Sequence, residues 1–154
     1  MSFLDSGLRF SCARCSGCCR HEGGYVFLSE KDLYRLAEAT GMTPEAFVGE
    51  WCRWVPYVPG SERLSLREKP DMDCILWSAE TRGCSFYEAR PLQCVAFPFW
   101  DSVVGSPEAW ARMARECPGM DSGEPRSGGE IGRIMRDLGD APVIERRIPR
   151  EGCL

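Results

Sequence analysis

The stretch that decides the fold is CARCSGCCRHEGG, residues 12–24. Cys12, Cys15 and Cys18 are each separated by two residues, and Cys19 follows Cys18 without a gap. A two-residue gap allows a tight turn to direct two sulfurs at one metal ion or at one edge of a cluster. The loop therefore offers three converging sulfurs and one additional thiol beside them.

The doubled cysteine needs a separate explanation. Neighbouring side chains in extended backbone point to opposite sides, so Cys18 and Cys19 would strain the chain if both reached one ion. We therefore expect Cys19 to reach a second metal, or to take a bridging or outer position beside the first. Gly17 is expected to ease the fold of the loop because it has no Cβ. The pair indicates more than one metal ion or a polynuclear cluster.

Further cysteines lie outside this loop, in the middle of the chain and beyond it. Nine residues separate Cys74 from Cys84, and nine more separate Cys84 from Cys94, whereas Cys117 comes later. With the first four they make eight thiols, enough for two four-sulfur sites. Arginines close to these cysteines would offset the negative charge of the thiolates. They are Arg14, Arg20, Arg82 and Arg90.

Composition indicates one domain and a reducing environment. The chain has 154 residues, of which 44% are hydrophobic, enough to bury the core of one compact domain. The N-terminal residues MSFLDSGLRF lack an apolar run of signal-peptide length, so we expect a cytoplasmic location, where thiols stay reduced. Clustered cysteines then indicate metal binding, and a disulfide framework is the less favoured alternative.

Several function classes are disfavoured by the sequence. The longest apolar block lies around VAFPFW, residues 95–100, and is too short to cross a bilayer. The net charge is −4 and the arginines are scattered among carboxylates, so neither a membrane nor a nucleic-acid partner is expected. The sequence contains no Ser/His/Asp set, phosphate loop or glycine-rich dinucleotide turn. A protein partner is left open.

The pattern predicts an α+β fold, mostly helical, in a small irregular single domain whose short strands surround a cysteine-ligated metal centre. Residues 1–119 are assigned to the metal-binding part. Residues 120–154 are assigned to a connector, a C-terminal helix and an extended tail, packed on or trailing from the same domain. The tail from Ala141 onward is expected to be loosely attached.

Capping residues and apolar spacing predict the first half of the elements. A helix begins after Ser29 and ends at Gly41, which is expected to be left-handed. A second helix spans residues 43–54, with Trp54 facing inward. The alternation in residues 63–68 predicts a strand. Residues 25–28 form a short apolar run typical of a strand or an extended segment.

The second half contains more turns. Residues 82–100 are predicted to form short strands and turns around one brief helix near 88–93. A helix spans residues 106–117, and residues 120–129 form a polar, glycine-rich connector. A last helix follows at residues 130–139, with apolar residues at helical spacing.

The order of these motifs resembles a known family. CARCSGCC, DCILW, GCSFYEARPLQC and AFPFW together resemble the YkgJ-type cysteine-cluster family, named for its CxxCxxCC signature, over roughly residues 12–117. The resemblance implies a zinc- or iron-chelating domain, and a turn at Arg90 and Pro91 that delivers Cys94. The metal ligands that it implies are Cys12, Cys15, Cys18, Cys19, Cys74, Cys84, Cys94 and Cys117.

The metal and its role have alternatives. Closed four-sulfur tetrahedra suit zinc, whereas three sulfurs from one loop also suit a cubane cluster, as in bacterial ferredoxins. An iron–sulfur cluster or iron is preferred over zinc, because of the closely spaced triple and a related signature in larger bacterial lysine N-methylases. Their activity is not carried over, because this chain lacks the length of their additional regions.

We expect a metal-binding protein without independent catalysis. The alternatives are a structural zinc protein, a redox or group-transfer enzyme that uses a cluster thiolate such as Cys19, and an interaction module formed by the last helix and tail. His21 is expected to be an exposed loop residue and not a ligand. Cys52 is expected to pack on the second helix as a small hydrophobe. Cys153 is expected to be a free thiol.

Overall fold

Helices and short strands alternate along the chain, so the fold is α+β, as predicted. The structure is a computed structural model and describes residues 2–19 and 24–149. The helices are α1 (Glu30–Thr40), α2 (Pro44–Trp51), α3 (Leu92–Ala96), α4 (Asp101–Val104), α5 (Pro107–Glu116) and α6 (Gly128–Gly139), with 3₁₀ turns at Phe3–Ser6 and Tyr87–Ala89. The strands are β1 (Leu8–Phe10), β2 (Cys52–Pro56), β3 (Ser61–Leu66), β4 (Trp77–Ser78), β5 (Gly83–Cys84), β6 (Met120–Arg126) and β7 (Glu145–Arg147). Among the helices within these residues, none has the length and apolar character needed to span a bilayer.

The helices begin at the capping residues that the sequence indicated. Ser29 caps α1 and forms a reciprocal capping box with Asp32, and Gly41 ends the helix in the left-handed conformation. Ser106 caps α5 in front of Pro107. Each cap satisfies backbone donors that a helix end leaves unpaired. These local predictions are confirmed.

The predicted second helix is too long. Helix α2 ends at Trp51, and Cys52 begins strand β2, in which Trp54 is paired with Leu64 of β3. A proline makes the helical backbone conformation unfavourable for the residue before it, so Pro56 disfavours a helical conformation at Val55 and hence a longer α2. The ladder to β3 then satisfies the backbone groups that a helix would have paired.

The central sheet has the order β2–β3–β7. The apolar segment 25–28 joins it, because Leu28 donates its N–H to the Leu64 carbonyl at 3.1 Å and accepts from the Ile144 N–H at 2.8 Å. Strand β7 pairs antiparallel with the beginning of β3, at Ser61–Arg63. The tail is extended as predicted, but the expectation of loose attachment is wrong for residues 144–147.

Residues 120–126 were expected to be part of a connector and instead form strand β6. It pairs antiparallel with β1, with Leu8 opposite Arg126 and Phe10 opposite Met120. Only Met120 is buried, so the strand carries no alternating apolar pattern. Its conformation comes from backbone hydrogen bonds to a segment more than a hundred residues earlier, which local composition does not reveal.

The interior divides into two hydrophobic clusters. The first core packs around α1, α2 and the central sheet, and consists of Leu28, Leu33, Leu36, Ala37, Phe47, Cys52, Leu64, Leu66 and Leu76. The second core packs around α4, α5, α6 and β1, and consists of Leu8, Phe99, Val103, Val104, Trp110, Met120 and Ile131. Cys74 and Cys84 pack against the first core and Cys117 packs against the second. Candidate ligands are therefore attached to both.

Candidate metal centre

The loop with the four clustered cysteines turns sharply at its end. The N–H of Cys19 donates to the Ser16 carbonyl at 3.0 Å, which closes a four-residue turn. Arg14 and Ser16 have positive φ angles of 53° and 68°. Gly17 was expected to ease the fold of the loop, but the left-handed positions fall on these two residues, which carry side chains. Such positions carry strain that the surrounding contacts must offset.

The turn brings the doubled cysteines onto one side. Their sulfur atoms, Cys18 Sγ and Cys19 Sγ, lie 3.8 Å apart. The expectation that they point to opposite sides assumed extended backbone, and it is wrong because the chain turns here. A tetrahedral site with metal–sulfur bonds of about 2.3 Å has an edge of roughly 3.8 Å between sulfurs. The adjacent pair therefore has the spacing of two ligands of one ion.

The beginning of the loop is attached beside Cys117. Ser11 donates its N–H to the Gly119 carbonyl at 3.0 Å. A Cβ on Gly119 would stand 2.4 Å from the Ser11 carbonyl oxygen and 3.1 Å from the Phe10 ring. Only glycine permits this approach, because real Cβ atoms do not come so close to a backbone oxygen. Cys117, two residues before this contact, is thereby held next to the start of the loop.

The end of the loop is attached to the middle cysteines. The Cys74 N–H donates to the Cys19 carbonyl at 2.7 Å, and the Ser16 hydroxyl donates to the Arg82 carbonyl at 2.9 Å. Strands β4 and β5 then place Cys84 opposite Trp77. One backbone hydrogen bond and one from the Ser16 side chain thus bring Cys74 and the 82–84 segment close to the doubled cysteine.

Cys94 reaches the centre on helix α3. Pro91 is the N-cap of this helix, and the Cys94 N–H donates to the Pro91 carbonyl at 2.9 Å. Cys94 therefore lies in the first turn, directly after the Arg90–Pro91 turn that the sequence resemblance singled out. We define the inner thiols as Cys18, Cys19, Cys74, Cys84 and Cys94, and the outer thiols as Cys12, Cys15 and Cys117.

The inner thiols interact electrostatically. The Cys19 side chain hydrogen-bonds to Cys18 and lowers the pKa of Cys18 to about 6, whereas the same bond, together with burial, raises the pKa of Cys19. Burial raises the pKa of Cys74 to about 11 and also raises the pKa of Cys94, and neighbouring thiolates add to both shifts. One thiolate at neutral pH is therefore surrounded by thiols that ionise only when a cation compensates their charge.

Two of the outer thiols are exposed, as is Cys18 among the inner thiols. Cys12 and Cys15 are exposed to solvent, and Cys117 is partly buried at the end of α5. Burial raises the pKa of Cys117, and the charges of Cys15 and Cys18 raise it further. Cys18 therefore lies within electrostatic range of both sets of thiols.

Arginines flank the inner thiols. The guanidinium groups of Arg14 and Arg90 lie 3.9 Å and 3.7 Å from the centre of the Tyr87 ring. Burial raises the pKa of Cys84, and the positive charge of Arg90 opposes this rise. Arg82 contributes its backbone carbonyl to Ser16. The expected compensation of thiolate charge is thus seen for Arg90.

Three expected residues fall outside the described part of the chain: Arg20, His21 and Cys153. Cys52 is 2% exposed in the first core, where burial raises its pKa to about 12. It packs as a small hydrophobe, as expected, although on strand β2 and not on a helix.

The described cysteines are all free thiols, so they form no disulfide framework. As they stand, the side chains at residues 2–19 and 24–149 include no group of three or more His, Cys, Asp or Glu that is arranged to hold a metal ion. The donor set nevertheless fits a thiophilic metal, since Cys74, Cys84 and Cys94 lie within electrostatic range of Cys18 and all are free sulfurs. Two contacts were not predicted from the sequence: the hydrogen bond between Ser11 and Gly119, and the bond that the Leu92 N–H donates to the Asp32 carboxylate. Sequence reasoning missed both because these residues are not cysteines of the motif.

Comparison with known proteins agrees with this donor set. The family described as "CxxCxxCC: Putative zinc- or iron-chelating domain" matches residues 11–118, more than half of the chain. The matched range begins at Ser11 and ends at Pro118, so it includes all inner and outer thiols. No solved structure matches the chain.

Proposed function

The chain belongs to the CxxCxxCC family of zinc- or iron-chelating domains, and on that basis we propose that it is a metal-binding protein whose inner thiols hold one tetrahedral ion. Cys18 and Cys19 supply two ligands. The others come from among Cys74, Cys84 and Cys94. The outer thiols complete the eight-sulfur set and supply ligands to a second metal.

The observation that carries this proposal is the 3.8 Å separation between the sulfur atoms of Cys18 and Cys19. It corresponds to the sulfur–sulfur edge of a tetrahedral thiolate site, so two ligands are already spaced for one ion. The lowered pKa of Cys18, about 6, means that this ligand is deprotonated at neutral pH. Zinc and ferrous iron both accept such a site.

Binding requires the remaining sulfurs to move closer. Burial raises the pKa values of Cys74 and Cys94, and the charges of neighbouring thiolates raise them further, so the metal-free site keeps both thiols protonated. A divalent cation replaces the protons and removes the repulsion. Most of the loop from Cys12 to Cys18 is exposed, and we expect it to close over the ion.

An iron–sulfur cluster is the second candidate. It is favoured by the number of free thiols and by the delivery of three cysteines from one loop. In a cluster, the cysteine sulfurs can bind different irons. A pair of sulfurs only 3.8 Å apart is less suitable for that arrangement, and fits a cluster only where both sulfurs bind the same iron. The spacing of Cys18 and Cys19 therefore suits a single ion, or one iron of a two-iron cluster, better than a four-iron cluster, in which each iron takes one thiolate.

The proposed role is organisation of the fold. Cys74 and Cys84 pack against the first core, and Cys117 packs against the second. A centre that draws on both sets would connect the two cores, and its binding free energy would contribute to folding. A redox or group-transfer enzyme differs in one respect, since it needs a cluster thiol that stays reactive when metal is bound.

Elemental analysis and an absorption spectrum of protein purified without oxygen test the proposal. Stoichiometric zinc in a colourless protein supports a tetrahedral zinc site, and charge-transfer bands with iron support the second candidate. Cys19→Ser is expected to lose at least half of the inner-site metal, whereas the matched variant Cys52→Ala keeps it. A folded wild-type protein that takes up neither metal refutes the proposal.

Alkylation of the metal-loaded protein distinguishes a metal site that organises the fold from a redox or group-transfer enzyme. Complete protection of the eight cysteines by bound metal supports an organising role. Rapid modification of one of them with metal retained supports an enzyme.

A further inference from the structure

Asp32 makes more hydrogen bonds than a helix cap requires. Its carboxylate is only 3% exposed and accepts four of them. The Oδ2 atom accepts from the Ser29 N–H at 3.0 Å and from the Ser29 hydroxyl at 2.8 Å, which completes the cap of α1. The Oδ1 atom accepts from Arg35 Nη2 at 2.8 Å and from the Leu92 N–H at 3.0 Å. The last bond leaves α1 and reaches the first residue of α3.

Arg35 strengthens the same connection. Its Nη2 atom, besides its bond to Asp32, donates to the Arg90 carbonyl at 2.8 Å. Asp32 and Arg35 therefore hold the chain on both sides of Pro91, at the carbonyl before it and the N–H after it. Bonds with a charged partner are stronger than neutral ones, so this connection constrains the start of α3.

Helix α3 depends on such outside contacts. It has five residues and no side-chain cap of its own. A helix of this length is unstable alone, and its first N–H groups need partners that the helix cannot supply. Gln93 provides a further contact, since its side chain accepts from the Phe27 N–H at 3.1 Å and donates to the Tyr25 carbonyl at 2.8 Å. Cys94 is the next residue after Gln93.

We infer that Asp32 is a positioning residue for Cys94, which it holds at the inner thiols through the Leu92 N–H and through Arg35. The inference rests on the proposed function for its consequence in metal binding, but the placement of Cys94 can be measured without metal. Without the Oδ1 contacts, α3 opens more often and exposes the Cys94 thiol.

The chain contains a matched control. Helix α6 begins with the same reciprocal box, in which Glu130 Oε2 accepts from the Ser127 N–H at 2.7 Å and from the Ser127 hydroxyl at 2.9 Å. Both boxes cap a helix of similar length, but the structure gives Glu130 no bond to α3. Glu130→Ala therefore removes a cap alone, whereas Asp32→Ala removes a cap and the connection to Leu92.

The first measurement is the rate of Cys94 alkylation by iodoacetamide in metal-free, reduced protein, followed by peptide mass spectrometry. Asp32→Ala is expected to increase the Cys94 rate about tenfold and to leave the Cys52 rate unchanged, whereas Glu130→Ala leaves both unchanged. A tenfold change corresponds to about 1.4 kcal/mol. If Asp32→Ala does not fold, Asp32→Asn takes its place. Its carboxamide keeps one oxygen for the two sets of donors, so a smaller increase in the Cys94 alkylation rate is expected.

The second measurement is zinc affinity, by competition with a chromophoric chelator. Asp32→Ala is expected to weaken zinc binding about tenfold relative to both wild type and Glu130→Ala. Equal Cys94 rates in the Asp32 and Glu130 variants overturn the inference. If wild-type protein binds neither zinc nor iron, the proposed function fails by itself, and the alkylation rates still decide whether Asp32 positions Cys94.

Discussion

Replacement of Gly119 by alanine tests the contact that joins the cysteine loop to Cys117. The added Cβ would stand 2.4 Å from the Ser11 carbonyl oxygen. Carbon and oxygen atoms tolerate about 3.3 Å, so the two backbones must separate by roughly 1 Å. The Ser11 N–H bond to the Gly119 carbonyl, now 3.0 Å long, would then be lost.

The expected loss of stability follows from these two effects. Forced separation of packed groups costs about 1–3 kcal/mol, and the lost hydrogen bond costs about 1 kcal/mol. The total is about 2–4 kcal/mol in the free energy of unfolding. With a urea dependence of about 2 kcal/mol per molar, the unfolding midpoint is expected to fall by about 1–2 M.

The assay is urea unfolding of the metal-free protein, with Gly49→Ala as the control. Gly49 lies on the exposed side of α2 and its added Cβ would meet no atom within 4 Å. That substitution is expected to raise stability by about 0.5–1 kcal/mol, because alanine favours a helix. If the Gly119 variant unfolds at the wild-type midpoint, the close approach to Ser11 does not constrain the loop and the reasoning fails.

Other predictions concern pH, metal loading and packing. Burial raises the pKa of Cys52 to about 12, so between pH 9 and 12 the folded state keeps a proton that the unfolded state loses. The free energy of unfolding of the wild type should therefore fall with pH about 1.4 kcal/mol per pH unit more steeply than that of Cys52→Ala. Equal slopes for the two proteins in urea unfolding would contradict this. Between pH 7 and 8 Cys18 is already ionised, with a pKa of about 6. Binding of zinc by four thiolates should therefore release about three protons, which is measured as the slope of the logarithm of zinc affinity against pH. A slope near zero would exclude ligation by thiolates. Trp110→Phe removes the hydrogen bond that the indole N–H of this second-core residue donates to Oδ1 of the exposed Asp121, 2.9 Å away. The free energy of unfolding should fall by about 1 kcal/mol, and an unchanged urea midpoint would argue against this contact.

The elements with local signals were the predictable ones. Helix α1 is defined by Ser29 and Gly41, whose effects act within a few residues. The boundary between α2 and β2 was missed, because Trp54 continues a helical spacing while pairing with β3 decides the conformation. Strand β6 was missed for a related reason, since its partner β1 lies at the other end of the chain. Pairing between distant segments overrides local preference, and β6 carries no periodic pattern because both of its faces are largely exposed.

The candidate site was predictable in its atoms but not in its arrangement. The motif spacing singled out the thiols as candidate ligands, because sulfur donors would be needed wherever a thiophilic metal binds. It did not reveal that Cys18 and Cys19 lie side by side, since that depends on the turn closed by Ser16. The second contact of Asp32 was equally hidden, because a carboxylate in the first turn of a helix is sufficiently explained as a cap.

The position of the thiols between two cores suggests why the chain keeps so many cysteines. The loop is attached at one end to Gly119, beside the second core, and at the other to Cys74, beside the first. Each core is small, and small cores provide little stability after the entropy of ordering the chain is subtracted. An ion bound between them, as proposed, would add its binding free energy to the folded state and would hold the two parts together. Removal of the metal should therefore loosen the junction first, and hydrogen exchange at the Ser11 and Cys74 amides should rise before exchange at buried amides of α1 and β3.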